Sequence, residues 1–335
     1  MMRREAQQAR EEKREPRTLQ ESDYLLGVFD GHRIGGLRFR LSSNGPFLDN
    51  NTERASPPWA RLRELEHASL ELEKDDAEQD KDYMKWLKVL IAPGGSLGGA
   101  RPKAGVVDED GNLWIAKFPS QKDELNTGGW EYLVHQLAAK AGVTVSEAKL
   151  QKFSGKYNTF LAKRFDRTEN SERVHFASAM TLLGKKDGDG GHNGVSYLDL
   201  ADFIVKNGAQ ADKDLEQLWR RVVFNICVSN VDDHLRNHGF LLQQDGWILS
   251  PAYDMNPSET GNGLTLNISK EDNAQNLDLA MEVSHFFRIK KPRAEEIIAE
   301  VLKSVRGWRD LAKKIGLPER EVTLMKHAFR IASRT

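Results

Sequence analysis

Three oxygen-bearing side chains, Asp232, Asn237 and Asp254, form the set in this sequence that best suits chemistry. Asp232 and Asn237 lie five positions apart, and Asp254 follows at a distance that a short hairpin can span. Carboxylate and amide oxygens are ligands that Mg²⁺ prefers, and a carboxylate beside a hydroxyl can take its proton. Phosphoryl transfer from ATP needs a metal ion and a base rather than covalent catalysis. The set therefore predicts Asn237 and Asp254 as Mg²⁺ ligands, with Asp232 as the base.

The elements around this set strengthen the prediction, because the spacing alone also occurs in ordinary turns. Apolar residues at helical spacing predict a helix over residues 214–228, which leads directly into the set. A hairpin is predicted for residues 239–250, where Asp245-Gly246 separates two apolar runs, and it leads towards Asp254. This order, with the Asp-x-x-x-x-Asn spacing, is typical of the catalytic loop of protein kinases.

His234 and His238 support a different interpretation, because two histidines four positions apart can bind zinc from one helical face. The Glu of the H-E-x-x-H pattern is missing, and the stretch is not clearly helical. A zinc hydrolase that uses both histidines and an Asp is therefore an alternative. The competing prediction is that His234 bonds the backbone of the loop.

A glycine-rich stretch, residues 93–105, includes Lys103 and precedes a second predicted hairpin. Glycines let the backbone approach phosphate oxygens and present N–H groups to them, but this stretch matches neither common phosphate-binding pattern. The hairpin turns at Asp110-Gly111, and its second strand ends at Lys117. This is the layout of a kinase small lobe, in which Lys117 would hold the α- and β-phosphates. An ordinary exposed lysine at a strand end is the alternative.

A helix and a strand are predicted after this hairpin. The helix is capped by Asn126 or Thr127 and ends near Gly142. Glu131 lies in its first turns, where it either pairs with the strand lysine, as in kinases, or is a surface residue favoured by the helix dipole. The strand covers residues 157–165, and its end is where a hinge between two lobes would meet adenine.

Composition and charge exclude several classes of protein. The chain has 335 residues, 39% hydrophobic and 30% charged, so a soluble globular protein is expected. Its net charge of −1 gives no indication of direct nucleic-acid binding, and no apolar run is long enough to span a membrane. The single cysteine, Cys227, cannot form a disulfide within the chain, which favours a reducing, cytoplasmic location.

The order of elements predicts an α+β, bilobal, protein-kinase-like fold with a strand-rich small N-terminal lobe and a helical C-terminal lobe. Residues 1–20 are highly charged and predict a flexible terminus. Residues 21–167 are assigned to the lobe with the glycine-rich loop, and residues 168–335 to the lobe with the catalytic loop and metal site. Residues 35–40 alternate apolar and basic side chains, which predicts a half-exposed strand.

Four stretches together resemble the HipA family of serine/threonine kinases, which are toxins of type II toxin–antitoxin systems. The stretches are S-L-G-G-A-R-P-K at 96–103, K-R-F-D-R at 163–167, D-D-H-L-R-N at 232–237 and S-P-A-Y-D at 250–254. The ordered set is specific although no single stretch is. The resemblance covers roughly residues 24–330.

This resemblance implies a kinase that transfers the γ-phosphate of ATP, with Mg²⁺, to Ser or Thr of a protein. It implies Asp232 as the catalytic base and Asn237 and Asp254 as metal ligands. It also implies autophosphorylation of Ser96, which would add negative charge to a loop that contacts other phosphates and so switch off ATP binding. The residues that it assigns to ATP and its metal ion are Ser96, Gly98, Gly99, Lys103, Lys117, Glu131, Lys163, Arg164, Phe165, His234, Asn237 and Asp254.

The resemblance also implies partners. Better-known members phosphorylate aminoacyl-tRNA synthetases and halt translation, and a small HipB-like DNA-binding antitoxin restrains them. The N-terminal subdomain of full-length members is expected to be missing before about residue 20. A separate small protein is therefore expected to supply it, as in tripartite versions of the system.

A nucleotide-binding pseudokinase that acts by contact is the second interpretation of the same residues. It would keep Lys117 and Asp254 but has no need for a base, so the complete set of Asp232, Asn237 and Asp254 argues against it. A kinase that acts on a small molecule is not excluded by the catalytic residues alone.

Overall fold

The computed structural model describes most of the chain, which divides into two compact units. The first unit is Met1–Gly128 with Ala148–Arg173, and the second is Gly129–Glu147 with Val174–Thr335. The described residues are 5–6, 9–10, 12–52, 55–75, 77, 82–83, 85–86 and 101–334.

A four-stranded antiparallel sheet is the main element of the first unit, with strand order β1-β2-β4-β3. Its strands are β1 Lys103–Val107, β2 Leu113–Lys117, β3 Ala148–Gln151 and β4 Thr159–Lys163. The unit also contains helices α1 Glu21–Leu26 and α2 Leu62–Glu71, with 3₁₀ turns at Asp30–His32 and Trp59–Arg61.

One face of this sheet is buried against α2. Trp114 and Ala116 of β2 pack with Leu62 and Leu65 of α2, and each of the four is at most 1% exposed. Because strand side chains alternate between faces, the odd-numbered residues of β2, including Lys117, lie on the other face. Lys117 therefore lies on the face of the sheet that does not pack against α2.

The turn between β1 and β2 is held by Asp108. Its carboxylate accepts hydrogen bonds from the backbone N of Asn112 at 2.7 Å and from the indole Nε1 of Trp114 at 2.8 Å. Gly111 follows with φ of 83°, in the left-handed region that favours glycine. The predicted hairpin that ends at Lys117 is confirmed.

Residues 35–40, predicted to form a strand, do not form one. Arg38 instead bonds Asp30, with 3.0 Å between Nε and Oδ2. The Arg38 guanidinium also lies over the ring of Phe47, with 3.4 Å from Cζ to the centroid. These side-chain contacts hold the segment, and its strand pairing in the described part of the chain is limited to one bridge between Arg40 and Phe47.

A small antiparallel sheet and a series of helices build the second unit. The sheet has the order β5-β6-β7, with β5 Phe176–Ser178, β6 Gly239–Gln243 and β7 Gly246–Leu249. The helices are α3 Thr127–Lys140, α4 Ala179–Leu182, α5 Tyr197–Asn207, α6 Ala211–Val228, α7 Leu277–Val283, α8 Lys291–Arg306, α9 Trp308–Ile315, α10 Glu319–Leu324 and α11 Arg330–Arg334, with 3₁₀ turns at Gly191–Asn193, Ser284–Phe287 and Met325–His327. None of the helices in the described ranges is both long and apolar enough to cross a membrane.

Helix α6 is buried along most of its length and confirms the helix predicted before the catalytic loop. Trp219 packs inside the unit and donates from Nε1 to the backbone O of Ala280 at 2.9 Å. Arg220 pairs with Glu300 on α8 at 2.5 Å. Burial raises the pKa of Cys227 to about 12, so its thiol stays protonated and serves as an apolar core group.

Helix α3 belongs to the second unit from Gly129 onward, whereas the sequence places it in the N-terminal lobe. The reason is Trp130, whose ring lies 6.3 Å from that of Trp308 and 6.4 Å from that of Phe329, between centroids. Its indole Nε1 donates to Glu321 at 2.8 Å. A large buried aromatic ring therefore decides which unit the helix joins.

Candidate active site

The catalytic loop, residues 230–237, begins where α6 ends. Ser229 has a left-handed backbone, with φ of 51°, and this turns the chain out of the helix. The side-chain amide of Asn230 donates to Oδ1 of Asn225, in the last turn of α6, at 3.1 Å. The loop therefore leaves a buried helix in a direction that local hydrogen bonds fix.

Asp232 and Asn237 are joined by a hydrogen bond, although they differ in exposure. The Asp232 side chain is 84% exposed, whereas Asn237 is 7% exposed. Asn237 Nδ2 donates to the backbone O of Asp232 at 3.0 Å. This bond uses the donor end of the amide, and Oδ1 accepts no hydrogen bond within the described residues. The pair can thus present one carboxylate and one amide oxygen to a ligand.

Asp254 follows β7 and lies on a segment that contacts the catalytic loop. Its backbone is left-handed, with φ of 58°, a conformation uncommon for residues other than Gly, Asn and Asp. The hydroxyl of the preceding Tyr253 donates to the backbone O of Arg236 at 2.7 Å. All three residues predicted to do chemistry therefore lie in the second unit, on two segments that touch.

Helix α6 also holds the chain that leads to Asp254. Asp214 accepts a hydrogen bond from the backbone N of Leu249 at 3.0 Å, and the buried Arg221 donates to the backbone O of Ser250. Burial lowers the pKa of Arg221 to about 10 against the opposing charges around it, so the guanidinium stays charged at neutral pH. One helix therefore anchors both the catalytic loop and the Asp254 segment.

Asp233 is a site residue that sequence patterns alone do not identify. It is 3% exposed, and its Oδ2 accepts hydrogen bonds from Tyr197 Oη at 2.6 Å, Asn225 Nδ2 at 2.7 Å and His238 Nε2 at 2.8 Å. Burial by itself raises the pKa of Asp233, but the facing His238 and these hydrogen bonds outweigh burial and hold the pKa below its usual value. The available signal is the Asp232-Asp233 doublet, since consecutive side chains of an extended chain point in opposite directions.

His234 and His238 do not come together as a zinc pair. His238 Nε2 is engaged by Asp233, while His234 Nε2 lies 4.0 Å from Oδ1 of Asp232. His234 Nδ1 is buried without a hydrogen-bond partner among the described residues, so the expected bond from this ring to the loop backbone is not formed. Across the same residues, no group of three or more His, Cys, Asp or Glu side chains could hold a metal ion.

Lys117 and Lys103 lie directly opposite each other in the first unit, on β2 and β1. Directly opposed side chains of antiparallel strands point to the same face, so both lysines lie on the face away from the core. Lys117 Nζ is 5.9 Å from the ring centroid of Phe160, its opposite residue on β4. The sheet thus brings two of the predicted phosphate-binding residues together.

Lys163 and Arg164 are placed differently. Lys163 lies three positions after the residue opposite Lys117, so its side chain is on the other face of the sheet. The Arg164 side chain is 6% exposed and is held by Asp166 through two hydrogen bonds, of 2.8 Å and 2.6 Å. Their side chains therefore do not join Lys117. The backbone of this stretch, with the half-buried Phe165, stays the predicted contact for adenine.

The other predicted nucleotide-binding residues divide into two groups. Glu131 is buried on α3 in the second unit, at 4% exposure. Ser96, Gly98 and Gly99 lie outside the described residues. The roles of these four residues stay predictions.

His32 lines a cavity of about 240 Å³ in the first unit, beside Lys163, Arg164 and Arg167. Its Nδ1 accepts a hydrogen bond from the backbone N of Ser56 at 2.7 Å. Burial, followed by the charges of the nearby arginines, lowers the pKa of His32 to about 4. A histidine in the unfolded chain has a pKa of about 6.5. The folded protein therefore binds fewer protons than the unfolded chain between these two values.

His32→Asn is expected to remove a pH dependence of stability. As the pH falls from about 7 to about 5, the free energy of unfolding of the wild type should drop by on the order of 1 kcal/mol through this group, since the ring is partly open to solvent. Asn keeps an acceptor for the Ser56 N–H but does not titrate. Urea unfolding of both proteins at each pH measures the difference. A constant difference between them at both pH values would contradict this assignment.

Comparison with known proteins places these residues in a family context. A protein-family model described as the HipA-like C-terminal domain matches residues 95–308. The chain is 27% identical over 180 residues to a protein of Haemophilus influenzae named "Putative kinase", a match that covers 48% of this chain and 52% of that protein. It is 25% identical over 181 residues to "Putative kinase Y4mE" of Sinorhizobium fredii, covering 48% and 41%. The chain thus spans about half the length of these relatives or less.

A solved structure also resembles this chain. It is the complex of the toxin–antitoxin proteins HipA and HipB with operator DNA from Shewanella oneidensis. The TM-score is 0.55 and the identity 20%, over 72% of this chain and 64% of the matched chain. At this identity the likeness concerns the fold, and it confirms the predicted α+β, protein-kinase-like class.

Proposed function

Because the chain belongs to the HipA-like C-terminal domain family, we propose that it is a protein kinase that transfers the γ-phosphate of ATP to Ser or Thr side chains. The observation that carries this proposal is the hydrogen bond from Asn237 Nδ2 to the backbone O of Asp232, at 3.0 Å. The bond leaves Asn237 Oδ1 available as a ligand, while the Asp232 carboxylate stays exposed. Phosphoryl transfer needs both a metal-binding oxygen and an accessible base.

Asp232 acts on the acceptor in this proposal. Its carboxylate takes the proton of the acceptor hydroxyl as the new oxygen–phosphorus bond forms and the bond between the γ-phosphate and the ADP oxygen breaks. The 84% exposure of the side chain leaves room for a residue of another protein to approach. The hydrogen bond from Asn237 holds the Asp232 backbone, from which the carboxylate extends.

The oxygen atoms of the site fit Mg²⁺. Asn237 Oδ1 and the Asp254 carboxylate would hold the ion, and both are hard oxygen ligands. The two segments that carry them are joined through Tyr253 Oη and the backbone O of Arg236, at 2.7 Å. When bound, the ion would neutralise phosphate charge. Mg²⁺ usually takes only one or two protein ligands besides phosphates and water, so a small ligand set suits it.

The phosphates of ATP are assigned to Lys117, with Lys103 beside it. Lys103 and Lys117 lie directly opposite each other on β1 and β2, and directly opposed side chains lie on the same face of a sheet, so both could contact the same phosphate group. Lys163 and Arg164 are not assigned to the phosphates, because Lys163 lies on the other face and Asp166 holds Arg164.

Partners follow from the family. The matched solved structure is a complex that contains HipA, HipB and operator DNA, which supports a HipB-like DNA-binding antitoxin as a partner of this chain. The proposal further includes an aminoacyl-tRNA synthetase as the class of protein substrate. Phosphorylation of Ser96 would inactivate the kinase, since it adds about −1.5 to −2 charge to a stretch that, in this proposal, binds the phosphates of ATP.

Wild-type protein incubated with Mg²⁺ and ATP is expected to gain one phosphate on Ser96, because the base and the metal ligands are all present. Intact-mass and peptide mass spectrometry measure this gain. Asp232→Ala should gain none, and Ser96→Ala should lose only the phosphate at that position. If the wild type gains no phosphate at any residue although calorimetry shows that it binds ATP, the chain is a nucleotide-binding pseudokinase instead.

A further inference from the structure

Asp233, the buried neighbour of the proposed base, is hydrogen-bonded to the residue that directly follows the catalytic loop. It directly follows Asp232, and its carboxylate accepts a hydrogen bond from His238, which directly follows Asn237. We infer that Asp233 is a positioning residue, which holds His238 and so sets the direction in which Asn237 presents Oδ1 to a metal ion. This inference rests on the proposed function and assigns a role to a residue that touches neither substrate nor metal.

Three elements of the second unit meet at this carboxylate. Tyr197 reaches it from α5 at 2.6 Å, Asn225 from α6 at 2.7 Å, and His238 from the start of β6 at 2.8 Å. The three distances are short, as expected for hydrogen bonds to a charged acceptor. Donors from separate elements fix the position of Asp233, and His238 is the donor that directly follows Asn237 in the chain.

Stability alone does not account for a charged group at this position. Removing a carboxylate from water is unfavourable, and an apolar residue of similar volume often stabilises a fold equally well or better. Charge-assisted hydrogen bonds are directional, however, so they specify the geometry of the loop. Geometry matters here because a displacement of about 1 Å can cost an enzyme a hundredfold in rate.

Hydrogen bonds and the peptide chain together link Asp232, Asp233, Asn237 and His238 in a ring. Asp233 holds His238, the peptide chain joins His238 to Asn237, and Asn237 Nδ2 returns to the backbone O of Asp232 at 3.0 Å. The peptide chain then joins Asp232 to Asp233. Asn237 is therefore constrained on both sides. A substitution at His238 should change the orientation of the Asn237 side chain without changing its chemical type.

Two variants of His238 separate the hydrogen bond from the bulk of the side chain. His238→Gln places an amide donor at about the reach of the imidazole Nε2, whereas His238→Met fills a similar volume without a donor. Binding of Mn²⁺, measured by electron paramagnetic resonance with a non-hydrolysable ATP analogue, should weaken about tenfold in the Met variant. The rate of phosphate transfer should fall on the order of tenfold to a hundredfold in the same variant. The Gln variant should stay within about twofold of the wild type in both measurements.

Tyr197→Phe is the matched control for fold stability. It removes another donor from the same carboxylate, but this donor lies on α5 and not in the loop. Urea unfolding should show a stability loss comparable to that of His238→Met, because each variant removes one hydrogen bond to the same charged group. Mn²⁺ affinity should nevertheless stay within about twofold of the wild type, since the hydrogen bond between His238 and Asp233 is retained in this variant.

The outcomes separate this inference from the proposed function. Equal Mn²⁺ affinities of the Gln and Met variants would overturn the inference, and so would equal weakening by Tyr197→Phe. A wild type that binds Mn²⁺ and the analogue but transfers no phosphate would overturn the proposed function alone, and the Mn²⁺ comparison would still decide the role of Asp233. A wild type that binds no Mn²⁺ with the analogue would overturn both.

Discussion

Asp232→Ala is expected to lower the rate of phosphoryl transfer by about 10²- to 10⁴-fold, the range that a positioned general base contributes. The free energy of unfolding should change by less than about 0.5 kcal/mol, as for other surface substitutions. The side chain is 84% exposed, and the Asp232 atom that holds Asn237 is the backbone O, which alanine retains. Radiolabel transfer from γ-labelled ATP and urea unfolding measure the two quantities.

Asp212→Ala is the matched control for this loss. Asp212 lies in the first turn of α6, its side chain is 82% exposed, and it pairs with Arg288 at 2.8 Å. It resembles Asp232 in type and exposure but lies at the other end of the helix, so its removal should leave the rate unchanged. Wild-type transfer by Asp232→Ala would show that Asp232 is not the base.

Asp254→Asn is expected to lose phosphoryl transfer by about 10²- to 10³-fold while the fold is retained. The substitution removes the charge of a metal ligand, and losing one preorganised electrostatic contact costs about this much. Asn tolerates the left-handed backbone that position 254 adopts, with φ of 58°. Asp254→Ala should be equally inactive and also less stable, by about 1 kcal/mol, because alanine is strained in this region.

Asp49→Ala provides the control for backbone strain. Asp49 has nearly the same backbone, with φ of 55°, but lies in the first unit, outside the catalytic loop. Its replacement should lower stability in urea without affecting Mn²⁺ binding, whereas both Asp254 variants should weaken Mn²⁺ binding in the presence of an ATP analogue. Wild-type Mn²⁺ affinity in Asp254→Asn would remove this residue from the metal site.

Local sequence patterns were sufficient to predict two hairpin turns and the helix before the catalytic loop. Asp110-Gly111 and Asp245-Gly246 each lie at the turn of an antiparallel hairpin, because glycine accepts backbone angles that other residues avoid. The helix before the catalytic loop has apolar residues at helical spacing and is buried as expected. These elements bring Asp232, Asn237 and Asp254 onto neighbouring segments.

Long-range contacts decide the features that the sequence does not reveal. The alternation in residues 35–40 is that of a strand, but a strand also needs a partner to pair with, and in the described residues this segment has one bridge, between Arg40 and Phe47. In the sequence, Asp233 resembles an ordinary loop residue. Only the structure shows that Tyr197 and Asn225, on two helices, donate hydrogen bonds to its carboxylate. A local sequence pattern does not predict these hydrogen bonds, because they depend on how distant segments pack.

The anchoring of two segments on α6 has a consequence for thermal motion. Asn225 holds the catalytic loop, while Asp214 and Arg221 hold the chain that carries Asp254. Displacements of the helix carry both segments along, so the oxygens of Asp232 and Asp254 should fluctuate together. When two atoms move together, the distance between them varies less than the position of either atom. The distances between the site oxygens can therefore stay nearly constant while the protein moves, as a small, rigidly coordinated cation requires.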